Sequence, residues 1–492
     1  MTEQVVRSTF MGRFFDAIVP LLSWFVITMP IWLSPFHPAI VAYFIIAFDL
    51  YFLYKALSTA YFATLSYRRI LHHQKISFSL KVRELPKAKE ITHFIIIPHY
   101  KEPLHKLEST IHKLTQADYP YKNLYLVLAC EKREIGANQK ATILKDKFNN
   151  FFKDILITSH ALKANEVPGK ASNQTFAANK IYQYATNKGI KSQDVLITVC
   201  DADSLISQNY FSYLTYEFLN DSSRMYHFYW APVLLYNNFW SLSFFVRIQA
   251  TLSSILRLAF LSQKDKLIQI STYSTNLWLL KKINFWDVDV IPEDWHVFYQ
   301  AFFTFGDKIK TVPLYTIING DAVYSGALLK TSQNRYEQEK RWAWGVSDIG
   351  YTLRKFFTTP HISISAKLKR ILFLAESHLL WPTSFFILTI SASVPPLINP
   401  SFKRTVLGFL LPKLSGFILT LSTVMLILYV YLDHNLRKKL NQKTKFRALP
   451  FLFIQWFFLP VVSFFFSSLP ALEAHTRLLL GKKIKYKVTE KM

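Results

Sequence analysis

Two cysteines among 492 residues leave little material for a disulfide framework or a zinc site. Cys130 and Cys200 each end an apolar run and read as buried, reduced thiols. Acidic residues are also scarce: 32 Asp and Glu stand against 58 Lys and Arg, a formal net charge of +26. No nucleic-acid module accompanies that charge, so a nucleic-acid partner is not expected. No internal repeat or low-complexity segment is evident. The first apolar tract has no small-residue cleavage site after it and runs straight into another, so it does not read as a cleaved signal peptide.

Apolar residues, in contrast, are abundant and unevenly placed. The chain is 51% hydrophobic with 43 Phe, and the excess lies in uncharged tracts at both ends. Two come early, at about 17–33 and 38–54, and three late, at about 371–397, 406–432 and 450–469. Each has roughly the 17–25 apolar residues that cross a bilayer core. Basic residues cluster beside them: Arg68, Arg69, His72, His73 and Lys75; Lys367, Lys369 and Arg370; Arg437, Lys438, Lys439, Lys443, Lys445 and Arg447. The positive-inside rule and attraction to anionic membrane lipids account for this arrangement. It predicts an integral, multi-pass membrane protein, most simply in a prokaryotic plasma membrane, with its middle part in the cytosol.

The middle part alternates strand and helix patterns. "HFIIIPHYKEP" is a strand entering a polar turn, "LHKLESTIHKLTQ" a helix, "NLYLVLACE" a strand, and "NQTFAANKIYQYATNKG" a helix stopped by Gly189. "DVLITVCDADSL" follows, a run apolar on both faces that ends in Asp201 and Asp203. The succession predicts an α/β domain with a mostly parallel sheet. Ligands in such sheets bind outside the carboxyl ends of the strands, where the two aspartates lie. Carboxylates one residue apart suit a hard divalent cation that also holds substrate phosphates. A strand end running into a polar turn would look the same, so the other turns must decide. Tyr100 and Glu102 end the first strand. Lys170 stands in a loop before a helix, where a lysine can meet phosphate. Glu293 and Asp294 open a helix, a place carboxylates favour in any case. "NRYEQEKRWAWG" carries Gln338, Arg341 and Trp342; its plainer reading is an amphipathic helix with a tryptophan at the membrane interface.

In this order the motifs resemble those of a membrane-bound family 2 glycosyltransferase of the processive type, similar to cellulose, chitin, hyaluronan and mannan synthases. The resemblance covers most of the chain. Its most specific element is Gln338-Glu339-Lys340-Arg341-Trp342, which fits Gln-x-x-Arg-Trp. "YKVTEK" near the C-terminus is similar to the gating loop of cellulose synthases, with Tyr486 for Phe. Three places depart from the pattern: Glu131 stands near where relatives carry Asp, Pro292 precedes Glu293-Asp294 in place of Thr, and "STYSTNLW" lacks the usual glycine.

The resemblance implies a cytosolic GT-A (nucleotide-diphospho-sugar transferase) α/β domain plus an α-helical transmembrane domain. The expected divisions are 1–65 for two N-terminal transmembrane helices, 66–357 for the catalytic domain with interfacial helices, 358–480 for the C-terminal membrane region, and 481–492 for the tail. It further implies inverting hexosyl transfer from a nucleotide-diphosphate sugar, a UDP- or GDP-sugar, to a glycan or lipid-linked acceptor. Mg²⁺ or Mn²⁺ would be held by Asp203 with Asp201. Tyr100, Glu102, Glu131, Lys170, Asp201 and Arg341 would bind the donor, joined by Thr489 and Lys491 of the tail. Asp294 would be the base with Glu293 beside it, and Trp342 and Gln338 would meet the acceptor. A glycosidase also uses two carboxylates, but needs neither a basic diphosphate site nor membrane spans. A transporter would place ionisable groups deep in several spans, whereas Glu376 and His378 lie near one end of theirs. Single-sugar transfer to a lipid carrier, without chain extrusion, is the alternative within the transferases. Five spans would put the two termini on opposite sides; the basic tail (Arg477, Lys482, Lys483, Lys485, Lys487) instead predicts a cytosolic C-terminus, with the last tract, interrupted by Pro460, broken or re-entrant.

Overall fold

The structure, a computed structural model, describes residues 9–440 and 449–484. Helix α1, Phe10–Leu33, starts where the Thr9 hydroxyl accepts the Gly12 N–H at 3.1 Å. Helix α2, Pro38–His73, has proline in its first turn, where no donor is lost. It continues well past the apolar tract, so the basic cluster at 68–73 rides on the same helix.

Strand β1 (Thr92–His99), helix α3 (Leu104–Leu114), strand β2 (Leu124–Glu131), helix α4 (Ala137–Phe148), strand β3 (Asp154–His160), helix α5 (Lys170–Asn187) and strand β4 (Val195–Val199) form the expected β-α succession. Strands β1, β2 and β4 are buried along their whole length, as continuous apolar strands between helical layers must be. Strands β5 (Leu205–Ile206), β6 (His227–Trp230), β7 (Val233–Leu234), β8 (Tyr273–Asn276), β9 (Lys310–Pro313) and β10 (Ile318–Asn319) follow. The main sheet runs β3-β2-β1-β4-β8-β6-β9, and β5-β10-β7 make a small second sheet. Pairs β1–β2, β2–β3 and β1–β4 are parallel, while β8 is antiparallel to both its neighbours. The sheet is thus mixed, and its parallel half is the one carrying the motif turns. Chain order reverses between β1 and β4, which is where a ligand crevice opens in such sheets. Tyr100-Lys101-Glu102 and Asp201-Ala202-Asp203 leave the strands on its two sides.

Helix α6 (Phe244–Leu261) follows β7; helix α7 (Glu293–Phe305) carries the carboxylate pair at its start; helices α8 (Leu328–Ala343) and α9 (Ser347–Thr358) follow β10. Helices α10 (Ile364–Thr389) and α11 (Val406–Lys439) are long and apolar. Among the described residues, six helical stretches have the length and composition to cross a membrane. Five match the tracts read from the sequence. The sixth is α6, most of it buried, with its end tied to α2 by Ser66 and Ser262 (Oγ–Oγ 2.7 Å). Its hydropathy reflects burial between the sheet domain and the long helices.

The last tract changes helix type along its length. An α-helical Leu449–Ile454 passes into a 3₁₀ turn, a short α-helix, a π-helical turn at Phe464–Ser468 and then α12, Leu469–Leu479. Prolines 450, 460 and 470 recur along it, each the second residue of one of these helical pieces. The end of α12 sits beside the start of α1: the Arg13 guanidinium donates to the carbonyls of Leu478 (3.1 Å) and Leu479 (2.7 Å). The start of α1 in turn meets α9, where Arg354 reaches Asp16 at 3.3 Å and a Cβ at Gly350 would fall 1.9 Å from Asp16 Oδ1. The start of α1, the end of α12 and α9 therefore share one end of the helical bundle. Thr489 and Lys491 lie outside the described residues.

Candidate active site

Lys170 is the first residue of α5 and reaches across the sheet's mouth. Its Nζ lies 2.6 Å from Asp201 Oδ1 and 3.2 Å from Glu293 Oε1, and it donates to the Ser271 carbonyl at 2.9 Å. Burial works against its charge, but Asp201 and Glu293 hold its pKa well above the ordinary lysine value. Residues far apart in sequence, at 170, 201, 271 and 293, are thus joined through one ammonium group.

Ser271 is the second junction. It takes a left-handed backbone (φ 68°), a conformation that costs a residue with a Cβ about 1 kcal/mol or more. In that conformation its N–H donates to Asp294 Oδ2 at 2.9 Å and its hydroxyl donates to Asp201 Oδ2. The loop expected to need glycine thus makes the turn with a serine, whose side chain then bridges two carboxylates.

Glu293 and Asp294 are both partly buried. Burial raises the Glu293 pKa most; Lys170 pulls it back, Asp294 and Asp201 push it up, and it comes to about 7. Asp294 is also raised, chiefly by burial, against the N–H donors of Ser271 and Trp295. Two residues on, His296 is clamped between Asp348 (2.8 Å) and Asp287 (2.9 Å). Burial alone would lower its pKa, but the two carboxylates raise it to about 9. That charged bridge ties the start of α7 to α9. A carboxylate titrating near 7 gives a pH profile with a defined sign. Activity that needs Glu293 ionised falls as pH drops through about 7, and Glu293→Gln removes that acid limb, as read from initial rates across the range. A limb unchanged in the variant assigns the titration elsewhere.

Asp203 is engaged by a different loop. Its Oδ2 accepts the Asp321 N–H at 3.0 Å, while the Asp321 carboxylate pairs with Lys106 at 2.6 Å. Glu102 lies near Asp203; burial raises its pKa to about 7, the Tyr100 N–H lowers it, and Asp203 adds to the rise. Among the described residues no three His, Cys, Asp or Glu side chains converge as a metal cage. A magnesium-type ion needs only one or two carboxylates when phosphates complete its shell. Asp203 offers such a group, whereas both Asp201 oxygens already meet Lys170 and Ser271. The fit is to a metal brought together with a diphosphate, held chiefly by Asp203.

Tyr100 and Glu131 meet at Arg133, which pairs with Glu131 (Nε–Oε2 2.9 Å) and stands 4.6 Å over the Tyr100 ring. On α8, Arg335 donates to Gln338, to Glu339 (2.9 Å) and to Gln249 of α6. The Trp342 ring has guanidiniums 4.8 Å (Arg335) and 5.6 Å (Arg257) from its centroid, so its flat surface is shared with cations. Sequence reading quoted the loop of Ser271 and the string of Arg335 without assigning either residue a role, and it missed Asp321 and Arg257. For Asp321 the string "NGDAV" gave a weak turn signal; Arg257 carries no local signal.

Every described candidate lines one cavity: Tyr100, Glu102, Glu131, Lys170, Asp201, Asp203, Glu293, Asp294, Gln338, Arg341 and Trp342. Its volume is about 1550 Å³, and it continues between α2, α10 and α11, past Tyr51, Trp381 and Ser422.

No family model matches the chain, and no curated protein does. Among solved structures the chain is similar to the mannosyltransferase PcManGT from Pyrobaculum calidifontis, in complex with GDP-Man and Mn²⁺, at 13% identity and TM-score 0.41, over 81% of this chain and 100% of that one. It is similar to TarS of S. aureus at 10% identity and TM-score 0.34, over 68% and 55%. A third similar structure is GalNAc-T7 with UDP, GalNAc and Mn²⁺, at 12% identity and TM-score 0.34, over 59% of each chain. At these values the functional reading rests on the chain's own geometry.

Proposed function

We propose that this protein is an inverting membrane glycosyltransferase of the family 2, GT-A kind. It transfers a sugar from a nucleotide-diphosphate sugar to a glycan acceptor on the cytosolic face. The observation that carries the reading is one shared cavity: turns and helices of the α/β domain bring carboxylates, a half-buried lysine, an arginine and a tryptophan to its wall, and the same space runs on between the apolar helices. A glycosidase would need none of the basic groups. The placement of the end of α12 beside the start of α1, which in turn meets α9, supports a cytosolic C-terminus.

In this reading Tyr100 and Glu131 flank the nucleoside, and Asp201 lies toward its ribose. Lys170 and Arg341 set fixed positive charge where the leaving diphosphate builds negative charge. A Mg²⁺ or Mn²⁺ bound at Asp203 supplies Lewis-acid stabilisation to the same group. Asp294 takes the proton of the acceptor hydroxyl, and Glu293 and Ser271 fix its position. Displacement from the face opposite the diphosphate inverts the anomeric carbon in one step.

A panel of radiolabelled UDP- and GDP-sugars tests this, offered with Mg²⁺ or Mn²⁺ to the purified protein and to sealed inside-out vesicles. Incorporation of one sugar by both is expected, with none from intact cells. Nucleotide sugars left unconsumed throughout, or consumed only from outside intact cells, would overturn the reading.

A further inference from the structure

Resting on that function, we infer that the glycan acceptor is carried on a lipid phosphate, which enters the cavity sideways between α2 and α10 and docks its phosphate on Lys55 and Lys266. Four side chains meet there. Glu376 of α10 accepts from the Tyr51 hydroxyl at 2.5 Å and from Lys55 Nζ at 2.6 Å, both on α2, and its other oxygen lies 3.7 Å from Lys266 Nζ. One carboxylate serves two ammonium groups and a phenol, so the cluster keeps a surplus positive charge. An oxyanion of higher charge suits the same donors better.

Position identifies the anion. Lys55 is about 26 Å along α2 from Pro38, and a bilayer core is about 30 Å thick. The cluster is therefore at headgroup level on the side of the α/β domain. Lysines that only anchor a helix snorkel toward bulk lipid. These two line the cavity that holds the catalytic carboxylates, and their side chains stay 37% and 44% exposed.

A continuous surface joins the cluster to the reaction centre. Lys266 Nζ lies 5.7 Å from the Phe373 ring centroid, and Phe373 stacks on Trp295 at 5.8 Å, the residue after Asp294. Phe260 stacks on both rings, at 6.0 and 6.4 Å, and all three line the cavity. An acceptor with its phosphate on Lys55 and Lys266 can lay a sugar ring on this strip and bring a hydroxyl to Asp294. Glu376 is the resident anion that the phosphate displaces.

The test uses the full-length protein in phosphatidylcholine nanodiscs with radiolabelled phosphatidic acid as the lipid phosphate and inorganic phosphate as the free anion. Binding of phosphatidic acid is expected to weaken about tenfold or more for each of Lys55→Gln and Lys266→Gln. It should be retained in the double Lys→Arg variant and tighten in Glu376→Gln, with inorganic phosphate failing to compete. Binding unchanged by both Lys→Gln substitutions, weakened by Glu376→Gln, or displaced equally by inorganic phosphate overturns the inference; the second result makes the cluster a strut between helices, the third a free-anion site. UDP and GDP binding measured on the same nanodiscs separates the two readings: nucleotide bound without lipid phosphate removes this inference alone, and lipid phosphate bound without nucleotide removes the transferase reading.

Discussion

Asp294→Asn is expected to lower turnover by about 10²–10⁴ while leaving nucleotide binding in place, the loss typical of a missing general base. Asp294 accepts two backbone N–H groups, from Ser271 and Trp295, each at 2.9 Å. Those donors orient the carboxylate toward the cavity without consuming its basicity, because burial dominates and its pKa is raised. An amide has the same shape but cannot take the acceptor's proton, and its NH₂ would face a donor N–H. Rates at saturating donor, read beside UDP and GDP affinity, separate the two possible roles. If affinity collapses and turnover at saturation survives, Asp294 is a donor ligand and another group is the base.

Asp203→Ala is expected to abolish transfer in a protein that remains folded and membrane-inserted. Asp203 sits on the turn after β4 and contributes nothing to the apolar core. Its visible cost is the Asp321 N–H left without its acceptor, on the order of 1–3 kcal/mol if that group stays dry. The functional loss should be far larger, because no second carboxylate of the pair is available: Asp201 is held by Lys170 at 2.6 Å and by Ser271. Thermal unfolding in detergent monitors the fold, and sugar transfer with and without EDTA monitors the metal. Full activity in the variant, or in EDTA, would remove the metal from the mechanism.

Much of the architecture was readable because it rests on local periodicity. Continuous apolar runs such as Phe94–Ile97 and Val195–Val199 had to be strands covered on both faces, and they are. The turns after them had to carry the polar groups, since the strands could not. The opening carboxylates of α7 and the helix holding Gln338, Arg341 and Trp342 were equally legible. Helix α6 was not singled out as a candidate span. Its composition is that of a span, but its place in the fold, buried and tied to α2, sets its role.

What the residues determined by themselves was the list of chemical groups and the strand ends and helix starts that present them, because period and polarity are properties of a few consecutive residues. Only the tertiary structure decided which groups touch. Lys170 meets carboxylates at 201 and 293, the left-handed Ser271 bridges Asp201 and Asp294, His296 is clamped by Asp287 and Asp348, and Lys55 and Lys266 converge on Glu376. Such contacts join residues from 9 to 321 positions apart. They arise from strand order and helix packing, which set distances that no short stretch of sequence encodes.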